Sequence, residues 1–331
     1  MSEMSLMYNN PHYFYGHGKL LLTGEYFVLD GALSLALPTN MGQSLAIKYK
    51  SSFDPKLSWK SYDVNGKCWF EARFDLWRFK ILDEVETPEA VTLQKVLLQA
   101  RKQNPHFLRD EVDVSVETRL EFPLEWGLGS SSTLIYNIAQ WAYISPFELL
   151  FKTTGGSGYD IACAQSMGPI LYEKKGSSPV WSEVQFDPSF KEQLYFVYLG
   201  KKQDSSEGIR FYREKMSAVQ NDLVIKLSSI TREMMNAKNL EEFDFLLSGH
   251  EKIVSQTLEM PTAKEKHFSN FWGEIKSLGA WGGDFVLATS SKSSEETKKY
   301  FTDNGYDVVI PYSQMVRNGK TESRPEGTTL H

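Results

Sequence analysis

Between Val112 and Ala142 the chain writes a strand, a glycine turn, a run of serines and a helix with no spacer between them. Val112, Val114 and Val116 alternate with Asp113, Ser115 and Glu117, the period of a half-buried strand. Then comes Pro123-Leu-Glu-Trp-Gly127-Leu128-Gly129-Ser130-Ser131-Ser132-Thr133, after which Leu134, Ile138 and Ala142 recur at helical spacing. Glycines let a backbone approach a ligand with no Cβ in the way. The first turn of the helix offers N–H groups without partners and a partial positive charge. Such a turn is an anion site, with phosphate its commonest guest. A glycine turn with serine caps has the same local form, so the rest of the chain must decide between the two readings.

Before this unit, the pattern reads as a strand at Lys19–Thr23, a turn at Gly24-Glu25 and a second strand at Tyr26–Leu29. Ala32–Leu37 and Leu45–Tyr49 continue a sheet, and Leu57–Phe74 forms a hairpin about Asn65-Gly66. Val91, Leu93, Val96, Leu97 and Leu98 mark a helix over Glu89–Gln103. After it, Ser145-Pro146 opens a short helix, with proline in the first turn where it costs no hydrogen bond. A second glycine turn, Gly155-Gly156-Ser157-Gly158-Tyr159-Asp160, runs into another helix. The Ser-, Pro- and Gly-rich stretch Lys174–Lys191 predicts a domain boundary, dividing the chain into residues 1–180 and 181–331. The second part carries a strand at Gln193–Leu199 and long helices over Val219–Ala237 and Leu240–Leu258. A third glycine turn, Gly279–Asp284, leads into Phe285–Thr289. From Val316 onward the chain is polar and reads as a frayed end.

Composition excludes several classes. A formal net charge of −6 argues against non-specific nucleic-acid binding, and any anionic substrate must meet a local cluster of positive groups. No run of eighteen apolar residues suggests a membrane span, and the first residues lack the basic and apolar regions of a signal peptide. Cys68 and Cys163 form neither a disulfide framework nor a metal motif, and the histidines lack metal-ligand spacing. A cytoplasmic protein is the expectation. No Gly-Lys-Ser/Thr completes a Walker loop. Ser132 stands where a dinucleotide fingerprint needs its third glycine. A serine-rich loop suits a nucleoside triphosphate with Mg²⁺, a hard cation that prefers oxygen ligands.

Four punctuated stretches then fall in one order: Gly18-Lys19-Leu-Leu-Leu-Thr-Gly24-Glu25-Tyr26, Pro123–Thr133, Gly156–Ala162 and Gly279–Asp284. This order and spacing resembles the GHMP small-molecule kinases. Gly24-Glu25-Tyr26 and Gly158-Tyr159-Asp160-Ile161-Ala162 look most like phosphomevalonate kinases and a bacterial branch labelled by the latter string. The resemblance spans about Gly16 to Asp284. It implies a two-domain α+β fold, with an N-terminal mixed α/β domain that binds ATP and a C-terminal ferredoxin-like sandwich.

The resemblance also implies roles. Gly127, Leu128, Gly129, Ser130, Ser131 and Ser132 would wrap the triphosphate, with Ser131 offering its hydroxyl to Mg²⁺ and Glu148 the nearest acidic candidate for the same ion. Asp160 would act as base or orienter for the attacking hydroxyl, with Lys19 beside it and the γ-phosphate. A lysine there can keep the carboxylate ionised and neutralise charge on the transferring group. Glu25, Tyr26 and Gly158 would face the substrate. Lys201, Lys202 and Ser205 would do so from the second domain, and Gly282, Gly283 and Asp284 would close the third turn over both substrates. His17 and Trp281 depart from the family's usual residues. Taken singly, Lys19 reads as a solvated strand lysine, Asp160 as a helix-start carboxylate and Glu148 as a surface residue, while Lys201-Lys202 reads equally as a solvated face or an anion site. The implied reaction moves the γ-phosphoryl of Mg·ATP to phosphomevalonate or mevalonate. A different acceptor, such as a sugar or homoserine, or a non-catalytic binding protein of the same fold remains open. A monomer and a homodimer are equally open.

Overall fold

The first half is built on two paired strands. In the computed structural model, which describes residues 12–110, 112–176, 178–201, 205–216, 221–279, 281 and 284–319 (backbone only at Ser205 and Ser206), β1 (His12–Leu21) runs antiparallel to β2 (Ser34–Ser51). The two apolar stretches that read as separate strands are thus one. The pairing shifts register between His17 and Lys19, and Pro38, which has no N–H to give the ladder, sits opposite Lys19 at that irregularity. β2 also pairs with β5 (Val112–Leu120) and β6 (Ile170–Lys175), and β3 (Lys56–Tyr62) lies parallel to β5. The expected hairpin joins β3 to β4 (Cys68–Asp75), with Gly66 at φ 76°. The sheet order is β4-β3-β5-β2-β6-β7, with β1 also on β2.

Four helices pack on this sheet: α1 (Pro88–Gln103), α2 (Ser130–Ala142), α3 (Pro146–Thr153) and α4 (Tyr159–Gln165). Leu93, Val96 and Leu97 of α1 and Ile135, Ile138 and Trp141 of α2 share a buried cluster with Leu45, Ile47, Val114 and Val116. This packing fixes α2 on β2 and β5.

The outer strand β7 (Ser178–Glu183) pairs with β6. The expected division at 180/181 therefore falls inside a strand. An edge position tolerates Pro179, which is why a stretch composed like a linker still completes the sheet.

The second sheet is antiparallel, in the order β11 (Val309–Pro311), β8 (Leu194–Tyr198), β10 (Phe285–Thr289), β9 (Ile275–Leu278). Counted along the chain this is 4-1-3-2, the order of a ferredoxin-like sandwich, with helices on the first and third connections. α5 (Ser205–Lys215), α6 (Asn221–Met234), α7 (Leu240–Leu258) and α8 (Ala263–His267) precede β9. α9 (Ser294–Asp303) precedes β11, and α10 (Tyr312–Met315) follows it. The implied two-domain α+β architecture is present. The halves are not separate cores: Leu20, Phe27, Leu35 and Leu37 share one cluster with Leu227, Phe243, Leu247 and Leu287.

Two local expectations fail. Tyr26–Leu29 is not a strand: Phe27–Asp30 is a 3-10 turn bracketed by Gly24 and Gly31, both at positive φ. Nor does the chain fray at Val316, which is 2% exposed, bridges Thr39 and is followed by Arg317 donating its N–H to the Pro38 carbonyl at 2.9 Å. Among the described residues no helix is long and apolar enough to cross a membrane.

Candidate active site

The turn before α2 carries no side chain that caps the helix. Gly127 (φ 64°) and Gly129 (φ 91°) are left-handed, and a Cβ on Gly127 would fall 2.0 Å from a carboxylate oxygen of Asp284. The first N–H to find a helical partner is that of Thr133, which donates to the Gly129 carbonyl at 3.0 Å. Elsewhere α1, α3, α7, α8 and α9 begin at Thr87, Ser145, Asn239, Thr262 and Ser293, each of whose side chains accepts a backbone N–H. α2 and α4 begin instead at Gly129 and Gly158, with no capping side chain, as does the four-residue α10 at Pro311. An uncapped start leaves N–H groups at Ser130, Ser131 and Ser132 for an external anion.

β1 is spliced onto this turn. Gly18 lies so close that a Cβ would meet the Leu128 carbonyl at 3.0 Å, and the Lys19 N–H donates to that carbonyl at 2.9 Å. The register shift beside Gly18 turns Lys19 toward the turn, as bulges near sites commonly do. Its ammonium donates to the Gly127 carbonyl at 2.9 Å and stands 5.8 Å from the centre of the Tyr159 ring. The Lys19 stem would touch a Cβ on Gly129 at 3.1 Å.

The second glycine turn meets the same place. Asp160, in the first turn of α4, accepts a short hydrogen bond from the Ser132 hydroxyl. Lys19 and Asp160 are thus neighbours around Tyr159 and the serines, but no ion pair joins them. Each is met by a neutral dipole. Gly158 (φ 95°) must be small, since a Cβ would lie 2.9 Å from the Tyr172 hydroxyl. Burial, with the Asp160 carboxylate beside it, pushes the Cys163 thiol far above its ordinary range, so this cysteine is packing and not a nucleophile.

The other expected residues divide. Leu128 is buried and Ser131 is exposed at the helix start. Asp284, 8% exposed, packs its carboxylate against Gly127, which brings the third turn to the first loop. Glu148 does not reach them. It pairs with Lys152 and lines a cleft with Lys102, Tyr143 and Ser145, beyond the C-terminal end of α2. At 1.5 Å per residue this is about 18 Å along the axis from Ser131. Glu25 and Tyr26, expected at the acceptor, turn inward instead. Glu25 is 1% exposed and ion-paired to Lys276, and Tyr26 stacks on Tyr212 at 5.4 Å. Lys201 is exposed at the end of the β8 loop. Lys202, Gly282 and Gly283, and the side chain of Ser205, lie outside the described residues.

His17 is buried, with Nδ1 3.1 Å from the Thr39 carbonyl, and Trp281 belongs to the core, so neither departure blocks the turn. Two contributors were not anticipated: Ser132 as the partner of Asp160, and Lys174, whose ammonium donates to the Gly156 carbonyl at 3.3 Å. The position of Ser132 as third serine of the run was the available signal for the first. The second had none.

No family model matches the chain, and no curated protein matches it in sequence. Solved structures match it in fold. The Lin0012 protein from Listeria innocua superposes with a TM-score of 0.68 at 17% identity, covering 91% of this chain and 97% of its own. Streptococcus pneumoniae phosphomevalonate kinase, in complex with phosphomevalonate and AMPPNP, gives 0.66 at 17% identity, covering 90% and 98%. Methanococcus jannaschii mevalonate kinase gives 0.64 at 14% identity, covering 91% and 98%.

Proposed function

We propose that this chain, which has the two-domain GHMP kinase fold, is an ATP-dependent kinase acting on the hydroxyl or phosphate oxygen of a small metabolite. One observation carries the reading. The uncapped start of α2 carries on its glycine turn the Lys19 ammonium, bound to the Gly127 carbonyl, and on its Ser132 hydroxyl the Asp160 carboxylate. An orphaned helix start suits a phosphate chain, and the glycine pair lets the backbone lie along it.

In the proposed reaction the N–H groups of Ser130–Ser132 hold the phosphates of ATP. Asp160, itself oriented by Ser132, takes the proton when the acceptor is a hydroxyl and orients the attacking oxygen when the acceptor is an ionised phosphate. That oxygen bonds to the γ-phosphorus as the bond from the γ-phosphorus to the β,γ-bridging oxygen breaks, releasing ADP. The Lys19 ammonium has three protons, of which one serves the Gly127 carbonyl. The others face the transferring group, whose charge spreads over its outer oxygens in a loose transition state. Mg²⁺, when bound, would neutralise the phosphates. Ser131 is the protein oxygen suited to it, since Glu148 stands away and such ions take most of their ligands from phosphate and water.

For the acceptor we favour phosphomevalonate or mevalonate. The fold likeness to a kinase solved with phosphomevalonate supports this choice, as does the exposed Lys201 ahead of α5. The test is a coupled assay of ADP release with mevalonate, phosphomevalonate, galactose and homoserine. Turnover of a sugar or homoserine alone would remove the isoprenoid acceptors, and nucleotide binding without transfer to any acceptor would favour a binding protein.

A further inference from the structure

Three consecutive residues beyond β1 are each held by a different element of the second half. The Gly24 N–H donates to His250 Nε2 of α7 at 2.9 Å, and Glu25 accepts from Lys276 Nζ of β9 at 2.5 Å. The Tyr26 hydroxyl accepts from the Trp281 N–H at 2.7 Å. Glu251 of α7 stands 3.6 Å from the same ammonium. All four ionisable members are sealed from solvent: Glu25 1%, His250 0%, Glu251 3% and Lys276 0% exposed. The backbone of the turn is committed to this form. Gly24 (φ 87°) would place a Cβ 2.0 Å from the Ser34 hydroxyl oxygen, and Tyr26 is left-handed at φ 59°, a conformation that side chains rarely adopt.

Stability alone does not call for such a group. Taking a lysine and a glutamate out of water costs more than packing apolar residues of their size, and buried pairs are kept best where they fix an arrangement. The arrangement fixed here is specific. On one side, β1 carries Lys19 five residues before Gly24. On the other, Lys276 precedes Trp281 and Asp284, and the Asp284 carboxylate fills the space that a side chain on Gly127 would need.

We propose that Gly24–Tyr26 is a clasp, with Glu25 and Lys276 its positioning residues, that anchors Trp281 in the core and thereby holds Asp284 against Gly127 of the serine loop, setting the two halves of the cleft relative to each other. Glu25 thereby acts through the third turn and not on the acceptor. The proposal rests on the kinase reading for its catalytic readout only.

The test uses the full chain with Lys276→Met and the double variant Glu25→Gln/Lys276→Met, read by hydrogen exchange, thermal unfolding and kcat/KM. Lys276→Met strands a buried carboxylate and lowers Tm. The double variant removes both charges and recovers most of that loss. If the pair positions the turn, amide exchange across 275–285 stays at least about tenfold faster than wild type in the double variant, and kcat/KM stays about tenfold lower. Exchange within α1 does not change. A double variant with wild-type exchange across 275–285 and wild-type kcat/KM overturns the clasp and leaves only a stabilising contact. Should that variant not fold, Glu25→Gln alone decides: faster exchange in 275–285 supports the clasp, and unchanged exchange overturns it. A wild-type protein that transfers no phosphoryl group sinks the kinase reading, while the exchange result still decides the clasp.

Discussion

Lys19 and Asp160 stand at an opening, whereas Glu25 and Lys276 stand in the core, and the two pairs treat their charges oppositely. At the first site the lysine donates to a backbone carbonyl and the aspartate accepts from a serine, so each side chain is placed by a neutral partner and not by an opposite charge. In the core the charges meet each other at 2.5 Å. A buried ion pair neutralises itself and can only hold position, while a charge held by dipoles remains available to a ligand. The difference teaches that the partner of a charged residue, more than its exposure, separates a reacting group from a fastening one. It also explains why Glu25 lies inside the molecule even though it belongs to a glycine turn.

The largest effect should come from the open pair. Asp160→Asn keeps the shape and the serine contact but removes the proton acceptor, so kcat should fall by roughly 10²–10⁴-fold. Nucleotide affinity and Tm should stay near wild type. An equal loss of affinity and turnover, measured by nucleotide titration beside the kinetics, would mean that Asp160 holds ATP and does not orient the acceptor.

The sealed pair should answer to pH and not to substrate. Burial pushes Glu251 up to about 8 from an ordinary 4.5, against the lowering effect of the Lys276 ammonium and with the Glu25 carboxylate adding to the rise. The folded protein thus holds this proton more tightly than the unfolded chain. The stabilisation is complete below about 4.5 and is lost as pH rises toward 8, on the order of 5 kcal/mol across that window. Glu25 is raised by burial as well, offset by Lys276, and has the same sign. His250, pushed well below 6.5 by burial and then by Lys276, has the opposite one: its contribution is present above 6.5 and lost as pH falls. The interval from 6.5 to 8 therefore isolates the carboxylates. Denaturant unfolding there should show stability falling with pH in the wild type and a flatter profile in Glu251→Gln. A wild-type profile that rises over this interval would reverse the assignment.

These two regions differed in how far the sequence exposed them. The open one is written locally: a strand, two glycines and three serines before a helix announce an anion site, and Gly158 repeats the device at Asp160. The ferredoxin-like half was implied by resemblance and is visible as strand order. The sealed region is long-range, joining residues 24–26 to 250, 251, 276 and 281, and no periodicity places His250 on the Gly24 N–H. Lys276 reads on its own as a strand lysine facing water, and only the fold makes it a core residue. The same limit hid β7, whose turn-like composition is allowed at a sheet edge, and misplaced Glu148, whose nearness in sequence to α2 conceals the length of that helix.

Two smaller effects sharpen the contrast. Ser132→Ala removes the neutral partner of Asp160 and leaves the carboxylate less fixed. A loss of about tenfold in kcat is expected, the worth of one modest hydrogen bond, with little change in Tm. Unchanged kcat would show that Asp160 is placed by its helix alone. The smallest effect belongs to the helices that are closed. Ser293 begins α9 with a reciprocal capping box, in which its side chain accepts the Glu296 N–H and Glu296 reaches back to it. Ser293→Ala should therefore cost about 1 kcal/mol of stability and nothing in kcat/KM. A cap that serves only its helix can be lost without touching chemistry, whereas α2 forgoes a cap and gives up that stability to leave its donors free. If Ser293→Ala lowered turnover at unchanged Tm, the open start of α2 would no longer mark the site apart from the other helix ends.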